Sequence, residues 1–473
     1  MAAQGSSGAV AFLHRLARLN RVTYTAARAA RTAARLVQTI IRSPGMVLEL
    51  PYLVFLFADT LIGRRRLQGR SFSRGPDLPQ IVMLVISDVA RDPRVQREAR
   101  ALADAGFTVK ILYPRPSSVA PPAEAPDWGP RVTALALPGY FAYYIARWPY
   151  VLGFNLLRAA LRESPLAFHA HDLDTAVIAL AAAGRTGAYA VCDFHEWYSE
   201  NVTYDSFQDR YVSHPRFKKT IYRFVERTVL RRASAVITVC DSIANDLARM
   251  VTPPRDVAVV RNVPSGDEEG CCAGACVPLR QQIRAEDQFL VLYQGGVGPS
   301  RLLEPVIEAL KYAPSAHLVI RGPGLDRYQA HYVEVARKAG VADRLTCLPP
   351  VPARAVVEAA RTADAGLYTV PNLCKNIAYA LPNKVFEYLA AGLPLLVADY
   401  PEVRRLVERY PVGLLFDPYS PMSIAAAINR LAREPELRRS FADGTRRALT
   451  DMKADVEWRK IVEIYRALQP RPA

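Results

Sequence analysis

Leu381-Pro-Asn-Lys-Val-Phe-Glu-Tyr-Leu-Ala-Ala-Gly-Leu-Pro394 runs from a polar opening through a short helix into a buried strand with almost no connecting loop. Pro382 opens the helix, because its missing N–H would have no helical acceptor there, and Gly392 with Pro394 closes it about three turns later. Lys384 and Glu387 stand three residues apart and so share one face. Free N–H groups and the positive dipole end at such a helix start attract phosphate, while a carboxylate one turn in accepts hydrogen bonds from ribose hydroxyls. A capped surface helix with an ordinary Lys/Glu pair has the same spacing, and on the pair alone that reading would prevail. The surrounding sequence reverses the preference.

Outward from this stretch, short Val/Ile/Leu runs alternate with helical patterns, as in βαβ units on buried parallel sheets. The first series predicts strands at Ile81–Ile86, Thr108–Leu112, Val132–Leu137, Ala167–Ala170, Ala188–Asp193, Ala235–Val239 and Val257–Val260. A segment rich in Gly, Pro, acids and Cys, residues 264–286, interrupts it and reads as a linker. The second series predicts Phe289–Tyr293, His317–Ile320, Leu345–Leu348, Ala365–Tyr368, Leu395–Ala398 and Gly413–Phe416. The expected fold class is α/β, with two tandem doubly wound Rossmann-like domains (76–263 and 287–435) facing a cleft, C-terminal helices (436–473) and an N-terminal helical extension (1–75). Ligands in such sheets bind beyond the carboxyl ends of the strands, so facing domains share one cleft.

Several loops fall at those strand ends. Tyr293-Gln-Gly-Gly-Val-Gly-Pro-Ser-Arg301 is a Gly-rich turn in which Gly295 and Gly296 let backbone N–H groups approach an anion, with Arg301 placed to neutralise a diphosphate. The three-glycine spacing of dinucleotide sites is not met. Arg321-Gly-Pro-Gly324 ends the next strand and can line the same crevice. In the first domain, Asp193-Phe-His-Glu196 puts His195 and Glu196 at the cleft edge, and Ser87-Asp-Val-Ala-Arg-Asp92-Pro-Arg94 puts Asp92 and Arg94 in the equivalent place, with Arg94 facing an anionic acceptor. His169-Ala-His-Asp172 invites a metal reading, but two imidazoles at i, i+2 lack a third ligand nearby in sequence, so no metal is expected.

These residues resemble the retaining GT-B glycosyltransferases of family four, also called glycosyltransferase group one, over about residues 81–468. Pro382-Asn-Lys-Val-Phe-Glu-Tyr-Leu-Ala-Ala-Gly-Leu-Pro394, with Pro401-Glu402 and Gly413-Leu-Leu-Phe-Asp417, carries the resemblance most strongly. Tyr293-Gln-Gly-Gly296 with Arg301, and Asp193-Phe-His-Glu196, resemble the family's other stations. The resemblance implies that Glu387, with Asn383 beside it, holds the donor's ribose, that Arg301 and Lys384 bind its diphosphate, and that His195 touches the transferred sugar. It implies no cofactor beyond a nucleotide diphosphate sugar donor. The closing helix around Trp458–Tyr465 resembles the family's C-terminal helix, which crosses back to the first domain. One position departs from the pattern: where the family commonly carries a second Glu, eight residues before the one matching Glu387, this chain has Tyr379, and Asn376 or nearby backbone is the substitute.

The 473 residues exceed a single core, and a net charge of +16 predicts anionic partners. That charge is concentrated at the start, where seven arginines precede the first acid, Glu49. An apolar stretch from Gly45 to Ile62 follows, but its longest uncharged run, Leu50–Ala58, is too short to span a bilayer. Arg64-Arg65-Arg66 then closes a pattern suited to an anionic membrane surface, with a transit peptide as the rival reading. Aromatics between Tyr140 and Leu161 suit a lipid-linked saccharide acceptor equally with a core helix. Nucleic acid is not an expected partner, since no recognition motif accompanies the basic residues. The seven cysteines form no disulfide framework, and Cys271, Cys272 and Cys276 lack zinc spacing. The sequence therefore predicts sugar transfer in bacterial surface polysaccharide or glycolipid synthesis, in the cytoplasm at the inner face of the cell membrane. A nucleotide-sugar epimerase or hydrolase on the same fold, or a non-catalytic membrane-bound partner in polysaccharide assembly, are the alternatives.

Overall fold

The computed structural model describes residues 58, 60, 79–87, 89–114, 129–137, 154–205, 210–264, 277–283, 285, 287–352 and 355–469. Most of the 1–75 extension, the aromatics up to Gly153 and the three linker cysteines lie outside the described residues.

The first sheet is built from β1 (Gln80–Leu84), β2 (Thr108–Pro114), β3 (Val132–Leu137), β4 (Ala167–His171), β5 (Tyr189–Phe194), β8 (Ala235–Thr238) and β9 (Ala258–Val259). Their order is β3-β2-β1-β4-β5-β8-β9, and every pairing is parallel. The reversal of strand order beside β1 creates a crevice at the strands' carboxyl ends, where His171 and Phe194 stand. The second sheet contains β10 (Phe289–Gln294), β11 (Ala316–Arg321), β12 (Leu345–Leu348), β13 (Ala365–Tyr368), β14 (Leu395–Ala398) and β15 (Gly413–Phe416) in the order β12-β11-β10-β13-β14-β15, again all parallel. Every strand expected from the sequence is present. One element is additional: β6 (Val202–Asp205) and β7 (Arg210–Ser213) form an antiparallel hairpin outside both sheets.

Both faces of each sheet are covered, which is why the strands read as nearly continuous apolar runs. Along β1 the alternation of a strand separates two cores. Val82 and Leu84 face Phe168, Ala170 and Leu180, whereas Ile81 and Met83 face a cluster that continues through Trp458, Ile461 and Tyr465 into the second domain. Those last residues belong to the helix Ala454–Leu468, which returns to pack on Pro93–Asp104 in the first domain. No helix among the described residues is long and apolar enough to cross a membrane.

Candidate functional site

The Asn383–Ala390 helix is shorter than the three turns expected, and its N-cap is Pro382, which supplies no side-chain hydrogen bond. Its first-turn N–H groups therefore have no capping side chain from that position. The helix is fixed to the end of β10 by Tyr388, whose hydroxyl accepts from the Gln294 N–H at 2.7 Å. That anchor brings Lys384 over the Gly-rich turn. Lys384 Nζ donates to Tyr293 Oη at 3.0 Å, Tyr293 Oη donates to the Gly296 carbonyl at 2.7 Å, and Arg301 Nε donates to the same carbonyl at 3.1 Å. A methyl group on Gly295 would stand 3.1 Å from Lys384 Nζ, and one on Gly296 would stand 3.7 Å from Arg301 Nη2. Two cations and a bare backbone turn thus converge from separate segments of chain. Burial pushes Lys384 down to about 7, and the charge of Arg301 adds to this against the opposing pull of Glu387. A lysine so placed gains most from an incoming anion.

The turn is supported from behind by Arg321-Gly-Pro-Gly324. The Gly295 N–H donates to the Arg321 carbonyl at 2.9 Å and the Val297 N–H to the Pro323 carbonyl at 2.8 Å. Gly322 has φ +150°, and a Cβ there would lie 1.9 Å from the Gly295 carbonyl oxygen. Gly322→Ala is expected to destabilise the second domain by about 1–3 kcal/mol through this backbone clash and strained φ. A denaturation midpoint unchanged from wild type would show that the loop pair yields without cost.

Across the cleft, His195 is 18% exposed and held by two carboxylates. Its Nε2 meets Asp193 Oδ2 at 3.0 Å and its Nδ1 lies 3.4 Å from Asp172 Oδ2, while its backbone N–H donates to Asp172 Oδ1 at 2.9 Å. Burial opposes the charged ring, but the charges of Asp172 and Asp193 outweigh it and raise His195 to about 9. Asp172 takes a φ of +66°, an uncommon conformation for a non-glycine residue, at the junction of β4 and the Asp172–Thr186 helix. Glu196 is exposed beside it and accepts from Asn201 Nδ2 at 2.5 Å.

Arg94 does not face the cleft. It is 3% exposed, donates to both oxygens of Asp193 at 2.7 and 2.9 Å and to the Val260 carbonyl at 2.9 Å, and lies 3.0 Å from Glu98. The reason is helical phase: Asp92 caps the Pro93–Asp104 helix by accepting from the Val95 N–H, so Arg94 in the first turn points inward with Glu98 one turn on. Beside His169 and His171 the fold also brings carboxylates that the neighbouring sequence does not contain. Glu98 and Asp193 stand with them, their ligand atoms all within 4.8 Å of one another. The guanidinium of Arg94 already supplies a cation there, binding both carboxylates. From this cluster a contact runs to the far end of the chain, with His169 Nε2 3.2 Å from Glu98 and His169 Nδ1 2.6 Å from Tyr465 Oη.

The 374–379 segment docks the second domain on the first. The Trp197 N–H donates to Asn376 Oδ1 at 2.7 Å, Tyr379 stacks on Trp197 at 6.3 Å between centroids, and Cys240 Sγ donates to the Tyr379 carbonyl. Asn383 also bridges the domains, its Oδ1 accepting from Asn262 Nδ2 at 2.9 Å. At the junction lies a cavity of about 640 Å³, lined by Arg261, which binds Asp241 and Glu457, and by Arg405, which binds Glu402, while Glu402 accepts from the Ser242 N–H. None of the sequence-predicted site residues lines that cavity.

Two parallel-sheet domains with a cationic, glycine-lined crevice have the GT-B architecture. Residues 92–263 match the glycosyl transferase 4-like domain and residues 279–448 match the glycosyl transferases group 1. The chain belongs to that group 1 family. It is 27% identical over 232 residues to a D-inositol 3-phosphate glycosyltransferase of Thermomonospora curvata, covering 46% of this chain and 51% of that one. It is 24% identical to an alpha-D-kanosaminyltransferase of Streptomyces kanamyceticus, covering 50% and 62%. The matched stretch thus spans about half the length of these curated relatives. Sucrose-phosphate synthase from Thermosynechococcus elongatus has the same fold, with a TM-score of 0.66 and 17% identity over 82% of this chain and 99% of that one. Anabaena HepE, solved with UDP and glucose, matches with a TM-score of 0.60 at 13% identity over 82% and 100%.

Proposed function

We propose that this protein transfers a sugar from a nucleotide diphosphate sugar to an acceptor hydroxyl with retention of configuration, without a metal. Its acceptor is a lipid-linked saccharide at the cytoplasmic face of a bacterial membrane, in synthesis of a surface polysaccharide or glycolipid. The observation that carries the donor site is the convergence of Lys384 and Arg301 on the Gly295–Gly296 turn. As the glycosidic bond to the diphosphate breaks, negative charge grows on the leaving oxygen, and fixed cations with helix N–H groups aimed there lower the barrier. Glu387 and Asn383, on the same helix, hold the ribose. HepE, which shares the fold, was solved with UDP and glucose.

His195 stands opposite, facing the transferred sugar. Raised to about 9, it is an imidazolium at neutral pH and has no lone pair for a proton. The acceptor oxygen therefore bonds to the anomeric carbon from the face that the leaving diphosphate vacates, and its proton goes to a diphosphate oxygen; attack on that face gives retention without a carboxylate pair. Glu196 and Asp92 remain on the acceptor side, and Arg94 acts indirectly, by fixing Asp193 under His195.

The test is thermal stabilisation by UDP, GDP, ADP and CMP, alone and as their sugar derivatives, because a ligand that binds only the folded state raises Tm. One nucleoside diphosphate is expected to stabilise wild type and not Glu387→Ala. A flat response to all of them would overturn the donor site.

A further inference from the structure

The Arg216–Arg232 helix, on the outer side of the first domain, buries Tyr222, Val225, Val229 and Leu230 and turns three large apolar side chains the other way. Phe217, Ile221 and Phe224 are 59%, 36% and 48% exposed. Spacings of four and three put them on one stripe. No other element among the described residues exposes three large apolar side chains. Exposed Arg216, Arg223, Arg227 and Arg231 lie along the same helix. Its one acid, Glu226, is turned inward, 1% exposed, and accepts from the Ser199 N–H at 2.8 Å. The outward face therefore carries apolar and cationic side chains with Thr220 and no acid of the helix itself, and of its arginines Arg223 pairs with Glu200 at 2.6 Å.

We infer that this face docks on an anionic lipid surface, with Phe217, Ile221 and Phe224 entering the headgroup boundary and the arginines binding lipid phosphates. The charge pattern selects this occupant, since a basic helix with an apolar stripe matches the two components of an anionic bilayer surface. The inference deepens, and for its purpose rests on, the reading of a lipid-linked acceptor, because the docked helix belongs to the domain that carries the acceptor side.

The experiment is flotation of the full chain with vesicles of phosphatidylglycerol and phosphatidylcholine, and with phosphatidylcholine alone. Wild type is expected to float with the anionic vesicles only. Phe217→Ser with Phe224→Ser should lower the bound fraction by roughly tenfold, given the transfer energy of two aromatic side chains. Arg227→Glu with Arg231→Glu should lower it comparably and flatten the salt dependence. Stabilisation by the nucleoside diphosphate should be unchanged in both double variants, which checks their fold. Failure of wild type to float, or flotation of both variants at the wild-type level, overturns the proposal. So does sedimentation showing a wild-type dimer that the Phe217/Phe224 variant dissolves, since the face would then join two copies of the chain. Loss of nucleotide binding with flotation intact would instead sink the transferase reading and leave the docking face standing.

Discussion

Arg94→Met is expected to destabilise the first domain by about 3–5 kcal/mol, the cost of breaking a buried ion pair by removing one partner. The side chains of Asp193 and Glu98 are fully buried, and Arg94 binds them both. Burial alone would raise Asp193, yet Arg94 and His195 hold it well below the usual carboxylate range. Glu98 is instead raised, by burial first and then by the nearby charge of Asp193. Without the guanidinium, two carboxylates would share one dry pocket, so one must take up a proton or the pocket must open. The measurement is the shift of the denaturant midpoint at constant slope. A loss below about 1 kcal/mol, the range of exposed pairs such as Arg337–Glu334, would show that the cluster is not held by this residue.

Lys384→Ala is expected to lower turnover by about 10²–10³-fold, the usual effect of removing one preorganised donor from a developing anion. The lysine also predicts a pH dependence, with a definite sign. Free Lys384 is held near 7, so above that pH the resting enzyme carries a neutral amine. A bound diphosphate favours the ammonium, so donor binding takes up a proton above pH 7 and the apparent Kd rises by up to about tenfold per pH unit. Below pH 7 the lysine is already charged and affinity is flat. Lys384→Arg keeps its charge throughout and should abolish the slope whatever it does to absolute affinity. Titration calorimetry of wild type from pH 6 to 9 would decide the matter, and a pH-independent Kd would remove Lys384 from the diphosphate site.

Sequence periodicity made both sheets legible, because strands buried on two faces are written as unbroken apolar runs. The Val202–Ser213 hairpin escaped, since its strands lie outside either sheet and carry no such run. Local motifs made the cationic, glycine-lined crevice legible: Gly295, Gly296, Arg301 and Lys384 each occupy a strand end or a helix start, and two parallel strands bring those ends together. Arg94 was expected at the cleft on the same ground of position, and the structure buries it instead. It too follows a strand end, but the rotation of its helix turns it to the interior, and its partner Asp193 is remote in sequence. The environment of His195 depends on the same kind of long-range meeting. Glu98, His169, His171 and Asp193 come from three elements, and nothing near any one of them announces the others.

The reach of the Ala454–Leu468 helix sets an order of events during synthesis. Chains are made from the N-terminus, and domains ordinarily fold as they emerge. Here Ile81 and Met83, on the first strand, share one core cluster with Trp458, Ile461 and Tyr465, whose helix packs on Pro93–Asp104. The hydroxyl that contacts His169 likewise arrives only with Tyr465. The first domain therefore waits, one face incomplete, until the Ala454–Leu468 helix has been made, and the buried cluster around His169 is completed only then.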